Sequence, residues 1–338
     1  MLPLRTERLT LRFFAKSDVN VFVRYRNDPD IARYQAWDLP YERSGAFETA
    51  AAQVGRTVPV EGRWTTLAIV CDGAVIGDVA TYMRPGGGVA EIGFTLAAQH
   101  HGSGYATEAA GAVADALFEH TDVQRIEASV DPENVASMRV LEGIGMQFEC
   151  VATSAFLWRG QWVDDVRYAM TAADRQAWLT RRVRRPERVE LVEITPETAH
   201  LWGRLRTHHS QERFVSTMAQ SFRDALFPEV VDGAPLIPWL RGVLADGERV
   251  GFVMCADVTT TNPIPFLWRL LIDRGHQGRG IGTLAVTAVA DHFGDRAAQL
   301  LTSYGTGPGS PEQFYQRLGF VPTGELDHGE IVASLSLR

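Results

Sequence analysis

The chain has 338 residues, of which 45% are hydrophobic and 22% are charged, as in globular proteins and unlike disordered or fibrous ones. This length accommodates two domains of ordinary size, each with its own core. The formal net charge of −8 argues against nucleic acid as the main partner, because phosphate binding depends on Lys and Arg.

The chain start and the cysteines bear on compartment and chemistry. The first residues, MLPLRTERLTLRFF, carry charges where a signal peptide needs an apolar run. No window approaches the roughly 18 continuous apolar residues of a membrane span. Cys71, Cys150 and Cys255 lie far apart without metal-ligand spacing, which predicts reduced, buried thiols with structural roles. We expect a cytoplasmic protein with no metal site and no membrane partner.

The first half of the chain mixes strand and helix patterns. A strand pattern at residues 9–13 precedes helical patterns at 17–34 and 42–54. Strands at 64–71 and 74–83 flank Asp72-Gly73, which is a hairpin signal. A strand at 89–96 then leads into a glycine-rich turn and a helix at about 104–119. A strand at 125–130, a helix at 133–144, two strands meeting at 159–161 and a helix at 174–179 complete this half.

An arginine-rich run at residues 181–188, with the sequence RRVRRPER, marks the main internal boundary. Such charge runs broken by proline are usually solvated linkers, which is the interpretation we favour over a basic patch that binds anions. We therefore expect one domain over residues 1–178, a basic linker over 179–187 and a second domain over 188–338.

The second half repeats the order of the first. Strand 189–194 precedes helical patterns at 196–208 and 212–226, and strands at 240–244 and 250–257 flank Asp246-Gly247. Strand 266–272 enters a second glycine-rich turn, followed by helix 281–293, strand 300–304, helix 311–318 and a hairpin turn at 327–329. The repeated order predicts two copies of one mixed α/β fold.

Each half carries its glycine-rich turn between a predicted strand and a predicted helix. The turns read HGSGYA at residues 101–106 and QGRGIG at 277–282. Backbone N–H groups of such a turn, together with the positive end of the helix dipole, bind phosphate or pyrophosphate. A Walker loop is absent, and the context of a dinucleotide fingerprint is absent as well.

The pattern [Q/R]-x-x-G-x-[G/A] at this place resembles the pyrophosphate loop of the GNAT acetyltransferase superfamily. Gln277, Gly280 and Gly282 match it completely. In the first turn the family register, fixed by ATEA at 106–109, puts His101 in the Gln/Arg position. The resemblance implies a mixed α/β fold with mixed sheets in each half and acetyl-CoA as cosubstrate.

Residues 4–172 resemble GNAT enzymes of the ribosomal-protein alanine acetyltransferase type. The segments that carry the resemblance are RTERLTLR at 5–12, EIGF at 91–94, GSGYATEA at 102–109, NVAS at 134–137 and LEGIGM at 141–146. The resemblance implies direct attack of an amine on a thioester, with a carboxylate as general base and a hydroxyl as general acid. It points to Glu91 as the base, Ser137 as the acid and Asn134 as a ligand of the coenzyme. Trp37, Tyr41 and Trp158 are candidates for the acceptor site or for the core.

Residues 188–338 resemble small-amine GNAT enzymes of the spermidine/diamine acetyltransferase kind. The similarity lies in residues 273–282, FYQRLGF at 314–320 and TGELD at 323–327, and it implies that Tyr315 is a general acid. Trp268 stands where relatives often place an acid, and the usual Asn before the second helix is missing. A base would then come from elsewhere, such as Glu325, Asp257 or a chain of water molecules. Glu212, Glu229 and Asp232 are weaker candidates for holding a cationic amine, and His208-His209 is interpreted as a helix end.

The sequence therefore predicts an acetyl-CoA-dependent N-acetyltransferase acting on a primary amine, such as a natural product, an antibiotic, a polyamine or a protein N-terminus. Two alternatives stay open: a tRNA-dependent aminoacyl transferase with two such folds, and an acyl-CoA-binding module without turnover in one domain. The predicted coenzyme ligands are Leu96, His101, Gly102, Ser103, Gly104, Tyr105, Ala106, Asn134, Ile272, Gln277, Gly278, Arg279, Gly280, Ile281 and Gly282.

Overall fold

The computed structural model describes residues 2–56, 58–231 and 233–338. The chain divides into two compact units, Met1–Thr180 and Arg181–Arg338, hereafter unit 1 and unit 2. Asp232, which the sequence suggested as a ligand of a cationic amine, lies outside the described residues.

Unit 1 is built on one mixed sheet of eight strands in the order β1-β2-β3-β4-β5-β6-β8-β7. The pair β5–β6 is parallel, and the other neighbouring pairs are antiparallel. The strands are β1 (Leu4–Arg5), β2 (Thr10–Phe13), β3 (Trp64–Cys71), β4 (Ala74–Met83), β5 (Val89–Leu96), β6 (Arg125–Val130), β7 (Gln147–Trp158) and β8 (Gln161–Thr171).

The α-helices that accompany this sheet in residues 2–56 and 58–180 are α1 (Val19–Arg26), α2 (Pro29–Ala32), α3 (Arg43–Ala51), α4 (Tyr105–His120), α5 (Val135–Gly143) and α6 (Ala172–Thr180). The long helix α4 buries a stripe of apolar residues at helical spacing, among them Ala110, Val113 and Leu117. This stripe belongs to the main core together with the inward residues of the sheet. A second cluster packs α1 and α3 around Phe14 and Phe22.

Unit 2 repeats the topology on a seven-stranded sheet in the order β16-β17-β15-β14-β13-β12-β9, again with a single parallel pair, β14–β15, within the part of the unit that the structure describes. Its strands are β9 (Val189–Glu193), β12 (Pro238–Ala245), β13 (Glu248–Ala256), β14 (Phe266–Ile272), β15 (Gln299–Tyr304), β16 (Val321–Asp327) and β17 (Glu330–Ser336), with β10 (Val230–Val231) and β11 (Ala234–Pro235) as a separate ribbon. Its helices are α7 (Ala199–Trp202), α8 (Met218–Leu226), α9 (Ile281–Phe293) and α10 (Glu312–Arg317).

The predicted Asp-Gly turns form hairpins in both units. Asp72 and Gly73 have φ of 48° and 79°, and Asp246 and Gly247 have φ of 51° and 81°. Positive φ at both central residues defines the turn whose twist matches that of the flanking strands. These turns therefore fix the registers of β3 with β4 and of β12 with β13.

Several predicted helices are shorter than the sequence pattern indicated. The segment 17–34 breaks at Pro29 into α1 and α2 after a 3-10 turn, because proline interrupts the hydrogen-bond ladder of a helix. Residues 196–208 keep only the single turn of α7, and α8 starts at Met218 where Thr217 caps it through Gln220 N. His208 precedes a 3-10 turn at His209–Gln211, so the histidine pair begins a turn and does not end a helix.

The prediction of buried cysteines is wrong for one of the three. Cys255 is buried, Cys71 is half-buried and Cys150 is exposed, and all three are free thiols. Cys150 lies on β7, the edge strand of the sheet, where alternate side chains face solvent. Among the described residues, no helix is long and apolar enough to cross a membrane, and no group of three His, Cys, Asp or Glu could hold a metal ion.

Candidate active site

The central strands of unit 1 separate part of the way along their length. The parallel pairing of β5 with β6 is limited to Val89 with Arg125, Ala90 with Ile126 and Glu91 with Glu127. Beyond this last pair, and within the described residues of unit 1, the carboxyl-terminal half of β5 has a strand partner only on the β4 side. A wedge therefore opens between β5 and β6, with Glu91 at its apex.

The glycine-rich turns of the two units share one backbone geometry. Gly102 and Gly104 have φ of 74° and 78°, and Gly278 and Gly280 have φ of 75° and 76°. These left-handed conformations favour glycine because other residues place Cβ against the backbone there. In both units the second of these glycines is the N-cap of the following helix, α4 or α9.

The residue that opens each turn binds the last residue of the preceding strand. Nε2 of His101 lies 3.0 Å from the carbonyl oxygen of Leu96, and Nε2 of Gln277 donates to the carbonyl oxygen of Ile272 over 2.9 Å. His101 and Gln277 therefore occupy equivalent positions. Gln99, whose spacing also fits the family pattern, lies on the 3-10 turn Ala98–His100 and makes no such bond within the part of the chain that the structure describes.

The residues of both turns fit a diphosphate group. A Cβ added at Gly102 or at Gly278 would meet nothing within 4 Å, so open space lies above each turn. Each turn ends at a helix start, which attracts anions. In unit 2 the buried Arg279 has an Nη2 without a hydrogen-bond partner among the described residues, so a cationic donor is available there.

The remaining predicted coenzyme residues, apart from Asn134, lie at these turns. In unit 1 the carbonyl of Ser103 accepts from Arg8 Nη1 over 2.9 Å, and the Arg8 guanidinium lies 4.6 Å from the centre of the Tyr105 ring. Tyr105 and Ala106 are the first two residues of α4, as Ile281 and Gly282 are of α9. A Cβ at Gly282 would lie 3.3 Å from the Phe314 ring, so glycine there allows α9 to pack closely.

A pocket of about 500 Å³ opens beside the wedge of unit 1. Five carboxylates and one guanidinium stand among its lining residues, together with six aromatic rings. The charged residues are Asp78, Glu91, Asp131, Asp164, Asp165 and Arg26, and the aromatic ones are Tyr34, Trp37, Trp64, Phe94, Phe156 and Trp158. The pocket is therefore acidic and rich in aromatic surface, which suits a cationic guest.

Glu91 lies in this pocket with its carboxyl partly buried. Burial raises its pKa above the ordinary value, Glu127 and Asp165 raise it further, and Arg84 opposes this shift. A carboxylate with a raised pKa that faces an open pocket is suited to accept a proton from a group in that pocket.

The floor of the pocket contains a buried cluster that the sequence did not indicate. Asp78 is almost fully buried, and the Tyr25 hydroxyl donates to its Oδ1 over 2.6 Å. Burial raises the pKa of Asp78, and Arg26, whose Nη2 lies 3.5 Å from Oδ2, opposes this. The Arg26 guanidinium lies 4.0 Å from the centre of the Trp37 ring.

Two of the three candidate aromatic residues line the pocket. The indole N–H groups of Trp37 and Trp158 donate to the carbonyl oxygens of Arg26 and Gln35 over 3.0 and 3.1 Å. Tyr41 packs instead against Phe22 in the second core cluster of unit 1.

Asn134 and Ser137 lie together at the start of α5. The Asn134 Oδ1 accepts from the Ser137 backbone N–H over 3.1 Å and caps the helix. Its Nδ2 has no partner among the described residues and stays available as a donor. Neither residue lines the acidic pocket.

Unit 2 has an apolar residue at the place of Glu91. The parallel pairing of β14 with β15 ends at Leu267 with Thr302, and Leu267 precedes the strand end by five residues, as Glu91 does. Met254 pairs with Arg269 and Cys255 with Leu267, so Trp268 is an extra residue in β14 that has no partner on β13. Leu267 packs in the core beneath α9, as Ala90 and Ile92 pack in the core beneath α4. Trp268 packs in the cluster with α8 on the other face, which corresponds to the face from which Glu91 lines its pocket.

Tyr315 of α10 is buried in the core of unit 2. Its ring stacks on Tyr304 with centroids 5.8 Å apart, and it meets Phe320 edge-on. Burial raises the pKa of Tyr315 to about 12, and a hydrogen bond with Thr302 opposes the rise. Since Thr302 marks the end of the parallel pairing, the hydroxyl of Tyr315 lies at the apex of the second wedge.

The carboxylates suggested as bases for unit 2 lie elsewhere. Glu325 is exposed on the edge strand β16, and Asp257 Oδ1 is 3.0 Å from Arg296 Nη1. Glu212 pairs with His209, and Glu229 is exposed. The acid that acts electrostatically on Tyr315 is Glu330, which accepts from Ser303 Oγ over 2.6 Å. Strand pairing of β15 with β17 brings it there, and local sequence patterns carry no signal for this.

Two sheets, each with a splayed parallel pair and a glycine-rich turn at a helix start, define an N-acetyltransferase. A model of the acetyltransferase (GNAT) domain matches residues 8–147, and a model of the acetyltransferase (GNAT) family matches residues 202–320. The chain is 31% identical over 173 residues to the uncharacterized N-acetyltransferase p20 of Bacillus licheniformis, covering 50% of this chain and 96% of the relative. The N-acetyltransferase YnaD of Bacillus subtilis is 28% identical over 171 residues, with the same coverage. The chain belongs to the GNAT acetyltransferase family.

Solved structures of the family resemble single halves of the chain. A GNAT acetyltransferase of Bacillus anthracis aligns with a TM-score of 0.45 and 25% identity over 50% of this chain and 97% of that one. RimJ of Mycobacterium smegmatis, solved with CoA-disulfide, aligns with a TM-score of 0.44 and 25% identity over 49% of this chain and 83% of that one. Spermidine N-acetyltransferase of Vibrio cholerae, solved with CoA and spermine, gives 0.44 and 20% over 51% and 99%.

Proposed function

We propose that unit 1 transfers the acetyl group of acetyl-CoA to a primary amine of a small cationic molecule, such as a natural product, an antibiotic or a polyamine. The observation that carries this proposal is the position of Glu91, at the apex of the wedge and in the wall of the acidic pocket. The acceptor nitrogen enters from the pocket side, and the coenzyme lies along the glycine-rich turn.

Glu91 acts as the general base. An amine that arrives as an ammonium ion has no free electron pair, and the carboxylate takes one proton from it, directly or through water. The raised pKa of Glu91 favours this transfer, because a base that holds its proton more tightly removes it more readily from the ammonium ion.

The coenzyme supplies the acetyl group as an activated thioester. Backbone N–H groups of residues 102–106 are proposed to hold its diphosphate, Asn134 Nδ2 donates to its chain, and Ser137 holds a proton for the sulfur. The half of β5 that follows Glu91, up to Leu96, contributes backbone N–H groups that polarise a carbonyl placed in the wedge.

The pocket walls select a positively charged acceptor. Asp131, Asp164 and Asp165 lie in the same cavity as Glu91 and attract a second cation, while Trp37 and Trp158 offer ring faces for a cation to stack on. An acceptor with a free carboxylate would be disfavoured, since five carboxylates face it against one guanidinium.

A second candidate function concerns unit 2. The strand β14, with the sequence FLWRLLI, contains no carboxylate to accept a proton, which favours acyl-CoA binding without turnover in this unit. The alternative that unit 2 also turns over assigns the acid role to Tyr315, with a base from another element.

The experiment is acetyl-CoA turnover by the full chain, followed as release of the free thiol and by mass of the product. The acceptors are matched sets: diamines, monoamines of equal length and the corresponding amino acids. The proposal predicts the highest kcat/KM for diamines and the lowest for amino acids. Turnover of amino acids at least as fast as that of diamines would contradict it, as would an absence of any amine acetylation.

A further inference from the structure

The arginine-rich segment is fastened to unit 2 along its length. Arg182 pairs with Glu248 over 3.6 Å, and the Arg184 carbonyl accepts from Arg279 Nε over 3.0 Å. The backbone N–H groups of Glu187 and Arg188 both donate to Asp246 Oδ1, over 2.9 and 3.0 Å. Pro186 is buried. Residues 182–188 are thus part of the surface of unit 2, contrary to the solvated linker favoured from the sequence.

This segment runs beside the glycine-rich turn of the same unit. The side chain of Arg185 lies across Gly280, with Nε 3.8 Å from the position of an added Cβ. The segment and the turn enclose a cavity of about 300 Å³, lined by Val183, Arg185, Gly278, Arg279, Gly280 and Thr283. Two arginines and the start of α9 therefore face one cavity.

The buried Arg279 lines this cavity, and its guanidinium makes fewer hydrogen bonds than it has N–H donors. Only 2% of Arg279 is exposed. Its Nε binds the Arg184 carbonyl and its Nη1 lies 2.9 Å from His276 Nδ1, but its Nη2 has no hydrogen-bond partner among the described residues. A buried guanidinium with an unsatisfied N–H is costly unless a ligand completes it, so the site is suited to an anion.

Unit 1 also has an arginine over the second glycine of its turn, but a carboxylate neutralises that arginine. Arg8, shortly before the first long strand of that unit, places Nη2 3.5 Å from a Cβ at Gly104, as Arg185 lies over Gly280. Arg8 is bound by Glu108 on α4, with Nε to Oε2 at 2.7 Å. The helical counterpart of Glu108, four residues after the N-cap glycine, is Leu284 in unit 2.

The absence of that carboxylate leaves Arg185 unneutralised. Within residues 181–231 and 233–338, its guanidinium makes no hydrogen bond and no ion pair. The Arg185 guanidinium therefore faces the cavity and solvent without a counter-charge, whereas the Arg8 guanidinium forms an ion pair with Glu108.

We propose that Arg185 and Arg279 form a clamp for the phosphate groups of the nucleotide ligand of unit 2, so that the arginine-rich segment of this unit supplies part of its coenzyme site. The clamp deepens the proposed function, on which it rests for the identity of CoA as the ligand. The backbone of the turn holds one side of the diphosphate, and Arg185 closes over the other.

The test is calorimetric titration of the full chain with CoA, compared among four proteins. The four proteins are the wild type and three variants. Arg185→Gln removes the charge of Arg185. Leu284→Glu places a carboxylate beside Arg185, at the position that Glu108 holds beside Arg8 in unit 1, and Arg182→Gln is the matched control from the same segment. A charge-assisted hydrogen bond contributes roughly 1.5–3 kcal/mol, so the first two changes are expected to weaken one CoA site by about tenfold or more. The control is expected to alter neither site more than about twofold.

Tryptic cleavage within residues 181–185 gives a readout confined to unit 2. CoA should protect these bonds, and the CoA concentration for half-protection should rise in Arg185→Gln and Leu284→Glu by the same factor as the calorimetric constant. Equal losses in Arg182→Gln and Arg185→Gln would assign the segment a structural role and overturn the clamp. An unchanged affinity in either Arg185→Gln or Leu284→Glu would also overturn it.

Inorganic pyrophosphate separates this inference from the proposed function. If the wild-type chain binds no CoA, the acetyltransferase proposal fails, and the clamp is then tested by pyrophosphate protection of residues 181–185 alone. Protection that is lost in Arg185→Gln supports the clamp, and protection that is equal in all four proteins contradicts it.

Discussion

His101 Nε2 lies 3.0 Å from the carbonyl oxygen of Leu96, the last residue of β5. The same bond joins Gln277 to Ile272 in unit 2. A histidine thus replaces glutamine without loss of the contact that holds the glycine-rich turn against the strand. The departure from the family pattern therefore changes the type of side chain at this position and keeps its hydrogen bond to the strand.

Replacing His101 with glutamine should accordingly preserve CoA binding in unit 1, with an affinity within about twofold of the wild type. Alanine leaves the Leu96 carbonyl without this donor, and the loss of one hydrogen bond of about 1 kcal/mol should weaken binding about fivefold. Calorimetry with CoA measures both, with His100→Ala as the neighbouring control. Equal weakening by glutamine and alanine would contradict an equivalence of His101 with Gln277.

The pH dependence of turnover should follow the environment of Glu91. The base works when ionised, so kcat/KM should fall as pH decreases through the raised pKa of Glu91. Arg84 lowers this pKa and Asp165 raises it. Arg84→Ala should therefore move the acid limb to higher pH, and Asp165→Asn should move it to lower pH. Limbs that move in the same direction, or not at all, would rule out Glu91 as the titrating group.

Asn134 combines a helix cap with a predicted coenzyme contact, and two substitutions separate these roles. Asp caps helices as well as Asn does, whereas Ala costs about 1 kcal/mol of stability. Asn134→Asp should keep the melting temperature but weaken CoA binding about fivefold or more, because Nδ2 is lost. Asn134→Ala should lower both the melting temperature and the affinity for CoA. If Asn134→Asp bound CoA with the affinity of the wild type, Asn134 would be a helix cap without a role in coenzyme binding.

The Tyr25 hydroxyl should stabilise unit 1 through Asp78. Tyr25→Phe leaves Oδ1 of a buried carboxyl without its donor, which costs about 1–3 kcal/mol in the free energy of unfolding. Tyr34→Phe, in the wall of the same pocket, removes no hydroxyl hydrogen bond among the described residues and should change stability by less than about 0.5 kcal/mol. Denaturant unfolding monitored by circular dichroism compares the two; similar losses would refute a specific role for Tyr25.

Local sequence patterns predicted the strands and turns of both units well. Strand Val89–Leu96 and helix Ile281–Phe293 begin and end where the apolar pattern placed them, because their inward faces are continuous and glycines mark their ends. The Asp-Gly dipeptides fixed the hairpins by the same local chemistry. The tandem GNAT architecture predicted from these signals is confirmed.

Features that depend on distant residues could not be predicted. Asp78 and Asp165 reach one pocket because β4 and β8 flank the central pair, and neither has a distinctive local context. The extra residue Trp268 in β14 became apparent only from the pairing of β14 with β13. Residues on either side of α7 and before α8 followed a helical pattern, yet backbone N–H groups such as those of Leu205 and Phe214 form hydrogen bonds in turns.

Glu91 as the base of unit 1 is the central claim, and the turnover of Glu91→Gln tests it most directly. The acceptor is the best diamine, at saturating acetyl-CoA, with Tyr315→Phe measured in parallel. Loss of a general base costs roughly 10²–10⁴-fold in rate. We predict a loss of kcat of at least about a hundredfold in Glu91→Gln, with unchanged CoA affinity, and wild-type turnover in Tyr315→Phe. Wild-type turnover in Glu91→Gln together with a large loss in Tyr315→Phe would contradict the account and move the chemistry to unit 2.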